Sequence, residues 1–432
     1  MYTVGLYTLG CKVSQYETEA IAEAFERAGV RVLPFSSKCD VYVINTCTVT
    51  AESDRKSRQM IRRAISANPD AVVAVCGCYS QRSPADIEKI DGVSICVGTQ
   101  DKLSVVPMAL DMLKERTERR FSVTSLEGAC FEPMTITHAP RTRVYVKIED
   151  GCESRCSYCA IADARGPVRS KPMDDVVAEV EALAKSGTRE VVLTGIETGS
   201  YGKDLGLRNG LAELIALLDK RGSCERIRLG SLAPELIGED FVNTVKDCKI
   251  LAPHFHMSMQ SGSDSVLRGM RRRYNCEMAL KNIMRIKHAI PEAQFTTDMM
   301  VGFPGESEED FWKTVEFVRT VGFIDVHVFA YSRRKNTPAA SYEGQIDEAV
   351  KKQRSATLIA EKNRVRDGVL DAIVASGKEL SCILESECCG LYTAHSDAYF
   401  EVAVKAQPGM EGEMVKVLPV SHKNGVIAGK LI

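Results

Sequence analysis

Long apolar runs are missing from this chain of 432 residues. No stretch approaches the roughly 20 consecutive apolar side chains that a membrane helix needs. The opening Met-Tyr-Thr-Val-Gly-Leu-Tyr has no basic segment ahead of an apolar one. No secretory signal is therefore expected, and a reducing cytoplasm is the expected compartment. An excess of one charge is also lacking, since the formal net charge is −2. That excludes a general nucleic-acid coater but allows an RNA met through a local basic patch. Aromatics are sparse at 6%, in an otherwise ordinary globular composition of 44% hydrophobic and 26% charged residues.

Cysteine is what the chain has in abundance: 16 residues. In a reducing compartment they read as thiols and metal ligands, not as a disulfide framework. The sharpest signal is Gly151-Cys152-Glu-Ser-Arg-Cys156-Ser-Tyr-Cys159. Thiolates select zinc or iron–sulfur clusters. A structural zinc site wants four ligands, normally as two separated pairs, and no second Cys-x-x-Cys lies nearby. Three thiolates on a 4Fe–4S cluster leave one iron open to chelate a substrate.

Apolar periodicity places that loop. Thr3–Thr8, Val41–Asn45 and Ala71–Val75 are near-continuously apolar and read as buried parallel strands. Gln15–Ala28 and Glu52–Asn68 read as the helices between them. The rhythm lapses over Lys114–Pro140, an expected linker. It resumes with candidate strands Val144–Ile148, Glu190–Thr194, Arg226–Gly230, His254–Ser258, Phe295–Met300 and Asp325–Ala330, separated by helices. Six units are fewer than a closed eight-unit barrel, so an open partial barrel is expected. After a long helix at about 346–374, four short strand-like runs from Glu379 suggest a small antiparallel barrel.

Cys152 then falls just past the first barrel strand, where such barrels gather their active sites. Cys11, Cys47 and Cys78 each follow a strand of the first sheet. Side by side, parallel strands bring their ends to one edge, where open α/β sheets bind ligands. This trio fits a second cluster beside the triplet; taken alone it is better read as the small buried cysteines common in such sheets.

At this point the residues resemble a known family, the radical S-adenosylmethionine methylthiotransferases, over essentially the whole chain. The resemblance rests on Thr-Leu-Gly-Cys11-Lys-Val, Val-Ile-Asn-Thr-Cys47, and Asp-Gly-Cys152 through Ala-Arg165-Gly166. It continues in Val-Leu-Thr-Gly195-Ile, Pro-His-Phe-His256-Met-Ser-Met-Gln260, and Val-Gly302-Phe-Pro-Gly305-Glu306. It implies an α/β fold of three parts: a parallel sheet domain (1–125), a partial (βα)6 radical barrel (138–370) and a TRAM-like RNA-binding β-barrel (371–432). It also implies two 4Fe–4S clusters. One, on Cys152, Cys156 and Cys159, cleaves S-adenosylmethionine, and an auxiliary one on Cys11, Cys47 and Cys78 carries sulfur. Thr194, Gly195, Glu197, Gln260, Gly302, Gly305, Glu306 and Arg165 are the implied cofactor contacts.

Three branches of the family differ in substrate. The opening Leu-Gly-Cys11-Lys-Val-Ser-Gln15-Tyr-Glu17 is most similar to the branch acting on threonylcarbamoyladenosine at position 37 of tRNA. The alternatives are isopentenyladenosine in tRNA, a ribosomal-protein aspartate, or an iron–sulfur RNA-binding protein without catalysis. The chain departs from that branch at Ser14, Ala162, Glu197 and Ala330, where Asn, Pro, His and Pro are usual. The implied partners are tRNA and an electron donor such as flavodoxin or ferredoxin, with the protein a monomer and no membrane involved.

Other residues have plainer readings. Arg165 and Arg169 suit a carboxylate or phosphate through the guanidinium fork, or a solvated pair. His254 and His256 alternate on a strand, so only one face enters the barrel and a satisfied core histidine is expected. Candidate phosphate contacts are Arg271–Arg273, Arg333–Lys335 and the run from Arg55 to Arg63.

Overall fold

The computed structural model describes residues 1–115, 118–138 and 141–432. Val41–Thr46 and Val72–Gly77 are buried at every residue, as strands covered on both faces must be. They lie at the middle of a six-stranded parallel sheet. Its order is Arg31–Leu33, Thr3–Thr8, Val41–Thr46, Val72–Gly77, Ile95–Val97, Arg120–Ser122. Side-chain alternation gives the sheet two cores. Val4, Val43, Ala74 and Cys76 pack on one face, and Tyr42, Ile44, Val73 and Val75 on the other.

The expected linker is corrected by its own middle. Arg120–Ser122 is the sixth strand of the first sheet, pairing in parallel with Ile95–Val97. Farther along, Met134 and Ile136 are buried in the core of the central domain. Of that segment, residues 116, 117, 139 and 140 lie outside the described residues.

The central domain is an open barrel of six parallel strands, broken in the third. Arg226–Leu229 pairs with Glu190–Thr194, and Ser231–Leu232 pairs with His254–Gln260 beyond Gly230. The sheet therefore splits into a three-stranded part and a four-stranded part ending at Asp325–Ala330. The long helix Glu348–Ser376 runs past residue 371 and ends at Gly377, a left-handed cap. It buries Leu358 in the central core and Leu370 in the C-terminal one, joining the two.

The last five strands close into a barrel. It is not wholly antiparallel, because Glu401–Lys405 and Val426–Leu431 run parallel. Buried arginines dock it on the central domain. Arg228 pairs with Glu190 at 2.7 Å and donates to the carbonyls of Ser396 and Asp397, while Arg226 donates to Ser381. Among the described residues no helix is long and apolar enough to cross a membrane.

Candidate active site

The triplet loop is closed by a short clasp. Glu149–Asp150 pairs antiparallel with Arg169–Ser170, and the Cys152 amide donates to the Gly166 carbonyl at 3.0 Å. Gly151 makes the turn at φ +95°, and a Cβ there would sit 1.9 Å from the Pro167 carbonyl oxygen. Only glycine fits. Gly151→Ala should therefore displace the loop and cut iron bound per chain at least severalfold, measured by metal analysis after anaerobic loading. Unchanged iron content would contradict this account of the turn.

Each sulfur of the triplet has its own donor. The Ser154 amide lies 3.5 Å from the sulfur of Cys152, the Ile161 amide 3.4 Å from that of Cys159, and Arg272 3.2 Å from that of Cys156. Burial nevertheless pushes Cys152 up to about 11 and Cys159 up to about 12. The protein alone keeps these as thiols, so a metal must displace their protons on binding. Soft sulfur ligands with N–H donors already aimed at them suit an iron–sulfur cluster. Among the described residues, no three of His, Cys, Asp or Glu close to the spacing of a single metal ion.

Cys11, Cys47 and Cys78 come from the ends of three adjacent strands. A Cβ built on Gly10 would lie 3.3 Å from the Cys47 sulfur, so the first two loops touch. Gly77, at φ +101°, turns the third strand out beside the Thr46 backbone and presents Cys78 next to them. Burial raises Cys78 to about 11, with Arg165 opposing. Neighbouring Cys76 points the other way, into the sheet core, and fills space there.

One side chain joins the two trios. Arg165, wholly buried, leaves the triplet loop and donates from Nε to the Cys78 sulfur at 3.2 Å. Its fork also meets Glu17 of the first domain at 2.5 Å and Asp150 beside the triplet at 3.1 Å. Lys102 and Lys147 complete the network on Glu17 at 3.0 and 2.9 Å. One buried guanidinium thus joins the Cys78 sulfur to Asp150, two residues ahead of the triplet.

The Radical SAM superfamily model matches residues 146–318, and a model described only as an uncharacterized protein family matches residues 3–98. The threonylcarbamoyladenosine tRNA methylthiotransferase MtaB of Bacillus subtilis is 40% identical over 423 residues, covering 96% of this chain and 93% of that protein. The chain belongs to the radical S-adenosylmethionine tRNA methylthiotransferases. The MtaB of Thermotoga maritima is 37% identical, covering 85% of this chain and 82% of its own. The tRNA-2-methylthio-N(6)-dimethylallyladenosine synthase of Acetivibrio thermocellus is 31% identical, covering 99% and 90%. Among solved structures, the radical S-adenosylmethionine methyltransferase TsrM of Kitasatospora setae shares the fold. It has a TM-score of 0.59 at 17% identity, covering 78% of this chain and 77% of that one.

In this methylthiotransferase the residues singled out as cofactor contacts fall into two groups. Thr194, Gly195 and Glu197 end the second barrel strand and wrap a buried carboxyl, Glu149. A Cβ on Gly195 would lie 2.4 Å from it, and the Glu197 amide donates to it at 2.8 Å. The other oxygen of Glu149 is buried without a partner among the described residues. Burial lifts Glu149 well above the carboxylate range and Glu197 up to about 7. An orphaned buried acceptor beside the triplet suits an ammonium donor, such as the amino group of S-adenosylmethionine. Gln260, at φ +68° on a bulged strand end, is buried.

The second group serves the scaffold. The Gly302 amide donates to Glu306 at 2.9 Å, and Glu306 pairs with Arg354 of the long helix at 2.6 Å. A Cβ on Gly302 would meet the stem of Lys351 at 2.3 Å, so its close approach is to that helix. The Gly305 amide donates to Gly344. Arg165 is committed to the network between the trios, and Arg169 donates to the Arg165 and Pro167 carbonyls.

Sequence reasoning missed Glu149 and Arg272. Glu149 had a signal, an acid three residues ahead of Cys152 at a strand end. Arg272 was read only as part of a charge run. Arg334 of another run is buried and ties the barrel to Asp54 at 2.9 Å. Arg55, Arg62, Arg63, Arg271 and Arg333 are exposed. His254 and His256 are two residues apart, so they share one face rather than opposite ones. Both share the Thr296 hydroxyl at 2.9 Å.

Proposed function

We propose that this enzyme inserts a methylthio group at carbon 2 of threonylcarbamoyladenosine 37 in tRNA. It would use two 4Fe–4S clusters, one on Cys152, Cys156 and Cys159 and an auxiliary one on Cys11, Cys47 and Cys78. The observation that supports this reading is the buried Arg165, which meets the Cys78 sulfur and Asp150 beside the triplet and would keep a radical-generating and a sulfur-carrying site in register. Relatives named MtaB reach 40% and 37% identity, against 31–34% for the dimethylallyladenosine synthases, which supports this adenosine. The dimethylallyl, or isopentenyl, reading is the alternative.

When bound, the triplet's cluster and S-adenosylmethionine supply a radical able to take hydrogen from an unactivated carbon. The chain's own residues then have separate tasks. Glu149 and Glu197 would accept from the cofactor's ammonium, and that positive charge would lower their raised proton affinity. Thr194 and Gly195 would contribute backbone at the same rim, and Gln260 would do so from the end of its own strand. Arg272 holds the Cys156 sulfur, and Arg165 holds the Cys78 sulfur. The units 1–125, 138–370 and 371–432 act together as a cytoplasmic monomer served by a flavodoxin- or ferredoxin-like donor.

Protein loaded without oxygen and given reductant should release 5′-deoxyadenosine. It should also methylthiolate an anticodon stem-loop bearing threonylcarbamoyladenosine. Product from the isopentenyladenosine stem-loop alone would favour the alternative.

A further inference from the structure

The interior of the open barrel is polar, and alternation shows why. Val144, Val146, Phe255, Met257, Phe295 and Met299 point outward into the core against the helices. Their strand neighbours Arg143, Tyr145, His254, His256, Thr296 and Asp298 therefore face the interior. The chamber is completed by other parts of the chain. Tyr399 of the C-terminal barrel stacks on His254 with ring centroids 4.2 Å apart. From the first domain comes Lys12, the residue after Cys11 and the first of the helix Lys12–Arg27.

Charge in this chamber is almost wholly paired. Arg143 meets Glu385 at 2.7 Å, Arg228 meets Glu190 at 2.7 Å, and Asp298 meets His256 at 3.4 Å. Lys12 is half-buried on a helix that packs against the strand Arg143–Lys147, with Arg228, Arg143 and Asp298 among its charged neighbours. Among the described residues it has neither an ion pair nor a hydrogen bond from its side chain. A lone ammonium in a pocket otherwise neutralised, one residue from a sulfur-site cysteine, calls for an anionic ligand at that spot.

We infer that Lys12 is a specificity residue that takes the carboxylate of the threonyl arm as the adenine ring enters beside Cys11. This rests on the proposed substrate and adds how it is told apart. An unmodified or isopentenyl adenosine brings no anion, so it would leave the ammonium enclosed and unpaired. The chamber's other cations already hold carboxylates, and none is as free to turn to a new one.

The test is binding, measured by fluorescence anisotropy on the anaerobically loaded enzyme. The two probes are one anticodon stem-loop RNA carrying threonylcarbamoyladenosine and the same RNA with plain adenosine. Lys12→Met and Lys12→Gln should each weaken the modified RNA roughly 10- to 100-fold, as loss of a charged hydrogen bond does. They should leave the plain RNA within about threefold, and Lys12→Arg should keep most of the preference. Equal weakening of both RNAs would make Lys12 a phosphate contact and overturn the inference. So would an unchanged preference in both neutral variants. A wild-type enzyme that binds the two RNAs alike would instead overturn the proposed substrate itself.

Discussion

Cys156→Ala should abolish release of 5′-deoxyadenosine, whereas Cys78→Ala should leave that release within about tenfold of wild type and abolish only the methylthio product. The reasoning is one of separable sites. Cys156 belongs to the triplet at the end of the first barrel strand, where its sulfur accepts from Arg272. Cys78 belongs to the sheet edge of another domain. Losing an outer partner of a metal ligand already costs about 10- to 100-fold. Loss of a ligand itself should carry the affected step past 100-fold, to the detection limit. Chromatography of the small-molecule products, alongside mass spectrometry of the RNA, reads both steps in one reaction. If Cys78→Ala silenced deoxyadenosine release as fully as Cys156→Ala, the two trios would not be separate sites.

Arg165→Met should lower the stability of the whole chain by about 2–3 kcal/mol, the scale of losing charged hydrogen bonds to buried acids that Lys102 and Lys147 still pair. Glu17 and Asp150 are both buried, and Arg165 is the guanidinium that faces both. Burial by itself would raise these two acids. Arg165, Lys102 and Lys147 outweigh it at Glu17, and Arg165 and Lys147 do so at Asp150, holding both well below the usual carboxylate range. The sign of the pH dependence follows. Acids depressed in the folded state contribute stability that is complete above the ordinary carboxylate range, about pH 4. That contribution is lost as pH falls below it. Melting midpoints should therefore drop on acidification in the wild type, and the variant should start lower and fall less. Arg165→Lys should restore the midpoint only in part, because an ammonium can meet Glu17 and Asp150, as that of Lys147 does, but cannot also reach the Cys78 sulfur as the fork does. A variant that melts with the wild type at pH 7 would contradict the bridging role.

Much of this was legible from residue patterns, for a physical reason. Val41–Thr46 and Val72–Gly77 are buried on both faces, so their sequences are continuously apolar and hard to mistake. The third barrel strand was also legible, though not its division at Gly230, which depends on which neighbour each half pairs with. The edge strands were not. Arg31–Leu33 and Arg120–Ser122 are three residues long and partly exposed, so nothing in their composition separates them from loop.

At the site, cysteine spacing carried far because three thiols in one loop have few other uses. Dispersed Cys11, Cys47 and Cys78 became readable only once strand ends were assigned. Spacing did not reveal that Gly302 and Glu306 serve the long helix. Helix and turn lie far apart in sequence, and an ion pair such as Glu306–Arg354 leaves no local pattern. The same is true of Arg165, whose partner Glu17 lies in another domain.

The most direct measurement of the central claim compares modified nucleosides of total tRNA from a strain lacking this protein, its parent, and the deletion strain complemented with the wild-type chain. Liquid chromatography with mass spectrometry should show methylthio-threonylcarbamoyladenosine lost on deletion, with threonylcarbamoyladenosine accumulating in its place. Complementation with the wild-type chain should restore it, and Cys11→Ala should not. Persistence of the methylthio nucleoside in a deletion strain with no second such enzyme would contradict the account.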